Sequence, residues 1–169
     1  NNVDNWILWM PSGSIWTPQN VKSVWSRGAE ANITAKQQLN RTTLGVDLSG
    51  LFTRSTDQTS GSAVKGQQLP YKPKYKGSAA IYLQTKWYSI RYAHSYTGRR
   101  YYISNTDWLN PYSIGSVVVE AQMHFSWGGM RPFARIDNIW NRDYQMVKGY
   151  ALPLRTFQAG VSVSFGKQR

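Results

Sequence analysis

The sequence predicts an all-β protein made of antiparallel strands of the kind that build a transmembrane β-barrel. Three observations carry this. Apolar residues recur at every second position in segment after segment. Tight turns alternate with long loops along the chain. Trp and Tyr gather at the ends of the alternating segments. No stretch of the 169 residues places apolar side chains at i, i+3, i+4 and i+7, the spacing an amphipathic helix requires.

The elements follow in order. Residues 5–10 read as a first strand. In 29–36, Ala29, Ala31, Ile33 and Ala35 oppose Glu30, Asn32, Thr34 and Lys36. In 42–54, Leu44, Val46, Leu48 and Phe52 oppose Gly45, Asp47, Ser49 and Thr53. In 78–85, Ala79, Ile81 and Leu83 oppose Ser78, Ala80, Tyr82 and Gln84. In 88–96, Tyr88, Ile90 and Tyr92 oppose Ser89, Arg91, Ala93 and Ser95. In 116–126, Val117, Val119, Ala121, Met123 and Phe125 oppose Ser116, Val118, Glu120, Gln122, His124 and Ser126. Residues 132–140 form a seventh segment with a less regular face. In the last, Phe157, Ala159, Val161, Val163 and Phe165 oppose Gln158, Gly160, Ser162 and Ser164. Successive side chains of a strand point to opposite faces, so these segments are strands with one oily and one wet face.

Leu39-Asn40-Arg41, the junction at Lys86-Trp87, and Trp127-Gly128-Gly129 read as tight turns. Residues 11–20, 55–75, 97–112 and 141–154 read as long connections rich in Gly, Pro, Asn and Ser. Short turns at one end and long loops at the other is the layout of an up-and-down outer-membrane barrel of about eight strands here. Trp87, Tyr88 and Trp127 lie beside short turns. Tyr96, Tyr101, Tyr102, Trp108, Tyr112, Trp140, Tyr144 and Tyr150 lie near the long loops. Amphipathic rings prefer the headgroup level, so girdles at both interfaces would produce this placement. A soluble β-sandwich would alternate as well, its oily face serving as a core. The polar opposite faces suit a barrel lumen.

Composition narrows the function. The longest strongly apolar run is Trp6-Ile7-Leu8-Trp9-Met10, far short of the roughly 18 residues a spanning helix needs. The first residues, Asn1-Asn2-Val3-Asp4, do not read as a signal peptide. Cys is absent, which excludes a disulfide scaffold, a Cys-ligated metal and a thiol nucleophile. The net charge of +12 suits polyanions, either nucleic acid or the phosphates of a headgroup layer.

No catalytic residue, metal site or cofactor is expected. His124 shares a face with Glu120, but four residues along a strand separate them by about 13 Å, too far for one metal. Gly128-Gly129 is not a phosphate loop, because no helix or Lys-Ser/Thr pair follows. Asp47 and Arg91 read as lumen residues that pair with neighbouring strands. Tyr88-Ser89-Ile90-Arg91-Tyr92 superficially suits base stacking, but the RNP patterns of an RNA-binding sheet are missing.

The last strand carries Gln158, Gly160, Val163 and Phe165 in the order polar, x, Gly, x, x, apolar, x, apolar. This resembles the C-terminal assembly signal of bacterial outer-membrane proteins, although the family usually stops at the aromatic and this chain continues Gly166-Lys167-Gln168-Arg169. The resemblance implies recognition by the barrel-assembly machinery.

Other segments resemble the C-terminal part of TonB-dependent outer-membrane receptors. They are Asn5-Trp6-Ile7-Leu8-Trp9-Met10-Pro11, Trp16-Thr17-Pro18-Gln19-Asn20-Val21, Ser26-Arg27-Gly28-Ala29-Glu30 and Leu69-Pro70-Tyr71-Lys72-Pro73-Lys74-Tyr75-Lys76. Asp137-Asn138-Ile139-Trp140-Asn141-Arg142-Asp143-Tyr144 is similar to their N-L-F-(N/D)-x-x-Y motif, with Ile-Trp for Leu-Phe. Gly149-Tyr150-Ala151-Leu152-Pro153-Leu154-Arg155-Thr156-Phe157 is similar to G-Y-P-x-P-G-R-x-F, with Leu154 where Gly is usual. The cobalamin and siderophore receptors look most similar.

The resemblance implies a bacterial outer-membrane transporter for a metal chelate, cobalamin or another scarce nutrient. Residues 1–169 would supply the last eight strands of a 22-stranded barrel with a plugged lumen. The plug and earlier strands would lie outside this chain, on the same precursor or on a second one. TonB would act indirectly, through that plug. Arg99, Arg100, Tyr101, Tyr102 and Trp108, on external loops, are the expected ligand-contacting residues. Loop cations Lys72, Lys74, Lys76, Arg99, Arg100 and Arg142 would face lipopolysaccharide phosphates. Two alternatives stand beside this reading: a self-contained eight-stranded outer-membrane barrel with a structural or adhesion role, and a soluble basic β-domain that binds nucleic acid.

Overall fold

The computed structural model describes residues 1–12, 15–102 and 106–166. Its strands are β1 (Asn2–Ser12), β2 (Ile15–Leu39), β3 (Thr42–Asp57), β4 (Tyr75–Gln84), β5 (Tyr88–Thr97), β6 (Arg100–Tyr101), β7 (Trp108–Leu109), β8 (Tyr112–Ala121), β9 (Met123–Phe125), β10 (Gly128–Asp137) and β11 (Thr156–Phe165). They form one antiparallel sheet ordered β1-β2-β3-β4-β5-β8-β10-β11, with β9 paired to β10, and a separate two-stranded β6-β7 hairpin. β9 prolongs β8 along the same edge of β10, since Glu120 pairs with Phe133 and Met123 with Met130. The gap between them faces Pro132, which has no N–H to donate to a ladder.

The sheet is an open meander, and β1 and β11 do not pair with each other. β1 covers β2 only from Ile15 to Trp25. Beyond Ser26, which exchanges hydrogen bonds with Asn1, the same edge of β2 has no partner strand among the described residues.

Register sorts the side chains onto two faces. Thr34, Asp47, Ala80, Ala93, Ser116, Asp137 and Thr156 follow one another across the sheet on the inward face. The next row, Ile33, Leu48, Ala79, His94, Gly115, Asn138 and their neighbours along each strand, belongs to the outward side. That side displays Leu44, Val46, Ile81, Ile90, Val119, Phe125, Val161 and Val163, all exposed. Ile33 is 60% exposed, Phe157 71% and Phe165 83%. An apolar side chain of that size left in water forgoes roughly 1.5–3 kcal/mol. No second sheet packs on this face among the described residues, which disposes of the sandwich alternative. The fully buried side chain among the larger ones is Val24, so the protein's apolar surface lies outside rather than in a core. A hydrocarbon layer is the solvent that suits it.

The tight turns have local causes. Asn40 takes the left-handed backbone (φ 53°) between β2 and β3, a conformation Asn tolerates. Between β4 and β5, the Thr85 hydroxyl accepts the N–H groups of Trp87 and Tyr88. The third turn is Ser126 and Trp127, so Gly128 and Gly129 already belong to β10.

Several boundaries depart from the sequence expectation, and β2 (Ile15–Leu39) and β8 (from Tyr112) start earlier than expected. Residues 11–20 are not a long connection: Met10 pairs with Thr17 and Ser12 with Ile15, extending β1 and β2 into one long hairpin. Pro11 and Pro18 read as loop punctuation, yet Pro18 lies beyond the last β2–β3 pair, Val24 with Asp57, and Pro11 lies on an outer strand. A missing N–H costs nothing at such an edge. β3 runs on to Asp57. β10 ends at Asp137 rather than at residue 140, because Asn138 turns left-handed (φ 50°) and its side chain ties back to Arg142 through both amide atoms.

Candidate ligand vestibule and lumen wall

The inward face carries charge in compensated groups. Asp47 accepts a hydrogen bond from the Thr34 hydroxyl (3.1 Å) and one from Arg91 Nη2 (3.0 Å). These residues come from β2, β3 and β5. Small Ala80 of β4, which pairs with both Asp47 and Ala93, lets Arg91 reach across. The guanidinium also lies 5.3 Å from the centroid of the Tyr82 ring. The side chains keep 48% and 36% of their exposure, so the ion pair itself contributes at most about 1 kcal/mol. Both residues thus occupy the inward wall, as expected, and they pair with each other.

Further along the wall, Arg135 clasps Asp137 with Nε and Nη2 at 2.8–2.9 Å. This pair borders a hollow of about 600 Å³ whose strand wall includes Ser78, Ser95, Ser116, Thr156 and Gln158. Tyr144, Pro153 and Leu154 of the last long loop form its upper rim. The surface is hydroxyl- and amide-rich, suited to water or to a polar domain seated inside.

At the loop end, three connections interlock. Loop 58–74 folds back along β3: Gly66 N–H donates to the Asp57 carbonyl (2.6 Å), and Leu69 N–H to that of Ser55 (2.8 Å). The Asp57 carboxylate accepts from Thr59 N–H (2.7 Å) and the Ser62 hydroxyl (3.0 Å). Burial pushes its pKa up, but those hydrogen bonds outweigh burial and hold it below the usual 3.8. Buried Gln68 spans the fold-back, accepting from Ser55 N–H and donating to the carbonyls of Thr53 and Lys72. Tyr71 N–H then donates to the Tyr101 carbonyl (2.6 Å), joining this loop to the β6–β7 hairpin. Burial raises the Tyr71 hydroxyl pKa.

Arg100 links the second loop to the third. It is 4% exposed, and Nη2 donates to the carbonyls of Asn110 (3.3 Å) and Gln145 (3.0 Å). Its guanidinium stacks 4.9 Å from the Tyr112 ring, which itself packs 4.5 Å from Tyr144. Its four companions in the expected ligand set sit nearer the surface. Exposed Arg99 lies over exposed Trp108 at 4.6 Å. Half-buried Tyr102 carries Lys148 over its ring at 5.5 Å. Half-buried Tyr101 pairs with Trp108 across the hairpin and lines hollows on both sides. Arg99, Tyr101, Tyr102 and Trp108 thus share one hairpin, while Arg100 is committed to loop carbonyls.

Lys148 and Gln145 join this assembly without having been singled out in the sequence, and Tyr71 and Tyr144, noted there within family-like segments and as a girdle ring, were not expected in it. They arrive from loops far apart in the chain, and no local spacing signals them.

The four residues of the expected assembly signal divide between faces. Gln158 and Gly160 point inward, paired with Arg135 and Phe133; Val163 and Phe165 point outward, paired with Met130 and Gly128. The Phe133 ring lies on Gly160 so closely that any side chain there would overlap it. Phe165 packs 5.6 Å from Trp127 at the short-turn end. His94 Nδ1 shares a hydrogen bond with the Tyr92 hydroxyl (2.9 Å) on the outward face. Among the described residues, no group of three His, Asp or Glu side chains is placed to hold a metal ion.

No curated protein matches the chain. A family model described as TonB dependent receptor-like, beta-barrel matches residues 1–161. With that match on a two-faced antiparallel sheet, the chain belongs to the TonB-dependent receptor β-barrel family, whose members are outer-membrane transporters of Gram-negative bacteria rather than enzymes.

Proposed function

We propose that this chain forms the C-terminal wall, rim and part of the external vestibule of a TonB-dependent transporter in the bacterial outer membrane. The observation that carries this is the segregation of faces: an outward apolar belt, an inward hydroxyl- and ion-pair-rich wall, and loops interlocked at one end. The strands correspond to the last eight of a 22-stranded barrel. The remaining strands pair with β11 and with the uncovered edge of β2, since an unpaired strand edge in lipid costs several kcal/mol per group. A plug, supplied by the rest of the precursor or a second chain, sits against the inward wall and transmits the action of TonB. The barrel-assembly machinery reads the strand containing Gln158, Gly160, Val163 and Phe165. The cargo is a metal chelate, cobalamin or a comparable scarce nutrient. Arg99, Tyr101, Tyr102 and Trp108 contact it, and Arg100 braces the loops that hold them.

The test is purification from outer membranes in mild detergent, with mass spectrometry of every polypeptide and comparison of heated and unheated gel mobility. A heat-modifiable species containing this chain together with a plug and the remaining strands supports the reading. A lone, heat-modifiable 19.3 kDa species would instead be a self-closed barrel and would refute it.

A further inference from the structure

We propose that the vestibule takes a cargo in which a compact apolar group, the size of one ring, stands beside an anionic group. The inference rests on the transporter reading above and names the chemical class that reading leaves open. Two adjoining hollows among the external loops carry it, and Gln67, Gln68 and Tyr101 line both.

The first hollow is apolar. Its volume is about 120 Å³, and Leu8, Met10, Val21, Val64, Leu69 and Pro70 supply most of its lining. The β1–β2 hairpin, the loop after β3 and the β6–β7 hairpin meet to form it. β1 turns left-handed at Asn5 (φ 56°), and its ladder is interrupted there, between the Asp4–Ser23 and Trp6–Val21 pairs. The hairpin beyond that point is tied across the loops. Lys72 Nζ lies 5.6 Å from the centroid of the Trp6 ring. Trp16 packs 6.0 Å from Tyr71, and its Nε1 donates to the Tyr150 hydroxyl (3.4 Å). Met10 and Leu69 are buried in this junction, while Val64 is 39% exposed and marks its mouth.

These apolar groups do not serve the lipid belt. The hairpin residues lie beyond the last β2–β3 pair, Val24 with Asp57, and the loop residues lie beyond Phe52–Tyr75, where the β3–β4 ladder ends. They face one another on the external side. An apolar cavity of about 150 Å³ stays dry and accepts a benzene ring, so this hollow suits one ring or a short branched chain. Asp57 also borders it, but its carboxylate is committed to Thr59 N–H and the Ser62 hydroxyl.

The second hollow is cationic. Its volume is about 380 Å³, exposed Arg54, Lys65 and Lys74 border it, and no acidic side chain lines it. Arg meets a carboxylate with a planar fork, and Lys adds point charges around it. Between the two hollows stand two amides and a phenol, which both donate and accept hydrogen bonds. An apolar slot with a few placed polar groups beside it is the usual composition of a small-molecule site. A ligand that spans the divide puts its apolar part against Leu8, Met10 and Leu69 and its anionic part toward Lys65 and Lys74.

The test uses the intact receptor in lipid nanodiscs, with receptor-free discs as the blank. Fluorine NMR follows three probes: para-fluorophenylacetate, para-fluorobenzyl alcohol and trifluoroacetate. Wild type should bind the first more tightly than the second and leave the third free. Val64→Trp, which fills the apolar hollow from its mouth, should weaken both ring probes roughly tenfold or more, as expected when one ring is left unburied. Lys65→Gln/Lys74→Gln should bring para-fluorophenylacetate down to the level of the alcohol, a loss of up to about fivefold per exposed charge, and leave the alcohol unchanged. Trifluoroacetate binding as tightly as para-fluorophenylacetate would overturn the proposal by identifying a plain anion site. Equal affinity of wild type for the two ring probes would also overturn it, as would unchanged binding in Val64→Trp. Receptor recovered outside the outer-membrane fraction would defeat the transporter reading and this site with it. Outer-membrane receptor that binds neither ring probe would defeat this site alone. The wild-type comparison of the probes needs no variant to fold.

Discussion

Asp57 shows how one side chain sets the shape of a loop. Burial disfavours its charge, yet Thr59 N–H and the Ser62 hydroxyl together hold its pKa below 3.8. A carboxyl with a lowered folded pKa contributes stability that is complete above its unfolded value. That contribution fades as pH falls through the folded value. Hydrogen exchange of loop 58–74 should therefore stay slow at neutral pH and accelerate below about pH 3.8, ahead of the sheet. Asp57→Asn should show the faster exchange already at neutral pH, because a neutral amide is the weaker acceptor; the expected loss is about 1–2 kcal/mol. Arg100 plays the corresponding part between the second and third loops. Arg100→Ala should remove its bonds to the Asn110 and Gln145 carbonyls and lower ligand affinity by loosening the vestibule. Arg99→Ala, at an exposed position, should alter affinity without changing protease sensitivity of the loops. Limited proteolysis beside ligand titration separates the two. A protease pattern shared by both variants would refute a bracing role for Arg100.

At the scale of the strand, face assignment makes the sharpest forecasts. Val118 and Val119 are adjacent in β8 and point to opposite sides. Val119→Arg should cost roughly 2–4 kcal/mol, the charge of Arg at the bilayer midplane, whereas Val118→Arg should cost far less. Denaturant unfolding of the receptor in lipid vesicles measures both, and equal losses would contradict the assignment. In β11, Gly160→Val should clash with the Phe133 ring and reduce assembled receptor at the cell surface. Adding Phe133→Ala should restore it if the clash is the cause. These faces were legible in the sequence, because period-two alternation in 42–54, 116–126 and 157–165 survives intact in the register. Other features were not. Pro11 and Pro18 read as loop residues, since the sequence does not say that the first hairpin outruns its neighbour β3. The vestibule was legible only as a cluster, Arg99 to Trp108. The partners that decide which of those residues are buried, Tyr71, Gln145 and Lys148, come from other loops, and Arg100 looks no different from Arg99 until its carbonyl partners are in place.

For the whole molecule, the account turns on one surface facing hydrocarbon and the other facing water. The +12 charge fits this division: the inward wall pairs part of its cations with Asp47 and Asp137, while Arg27 and Arg54 face each other across the β2–β3 ladder on the outward side. The open edges fit it too, because a meander that ends in an unpaired β11 and a half-covered β2 needs further strands to sit in lipid. Absence of Cys from the 169 residues makes the division directly measurable. Single cysteines placed from residue 44 to 52 in β3 of the intact receptor can each carry a nitroxide in lipid vesicles. Accessibility to oxygen and to a water-soluble nickel chelate should then alternate with period two. Leu44, Val46, Leu48 and Phe52 should contact lipid, and Gly45, Asp47 and Ser49 should contact water. Uniform accessibility to the nickel chelate, or alternation in the opposite phase, would contradict the placement of this sheet in a membrane barrel.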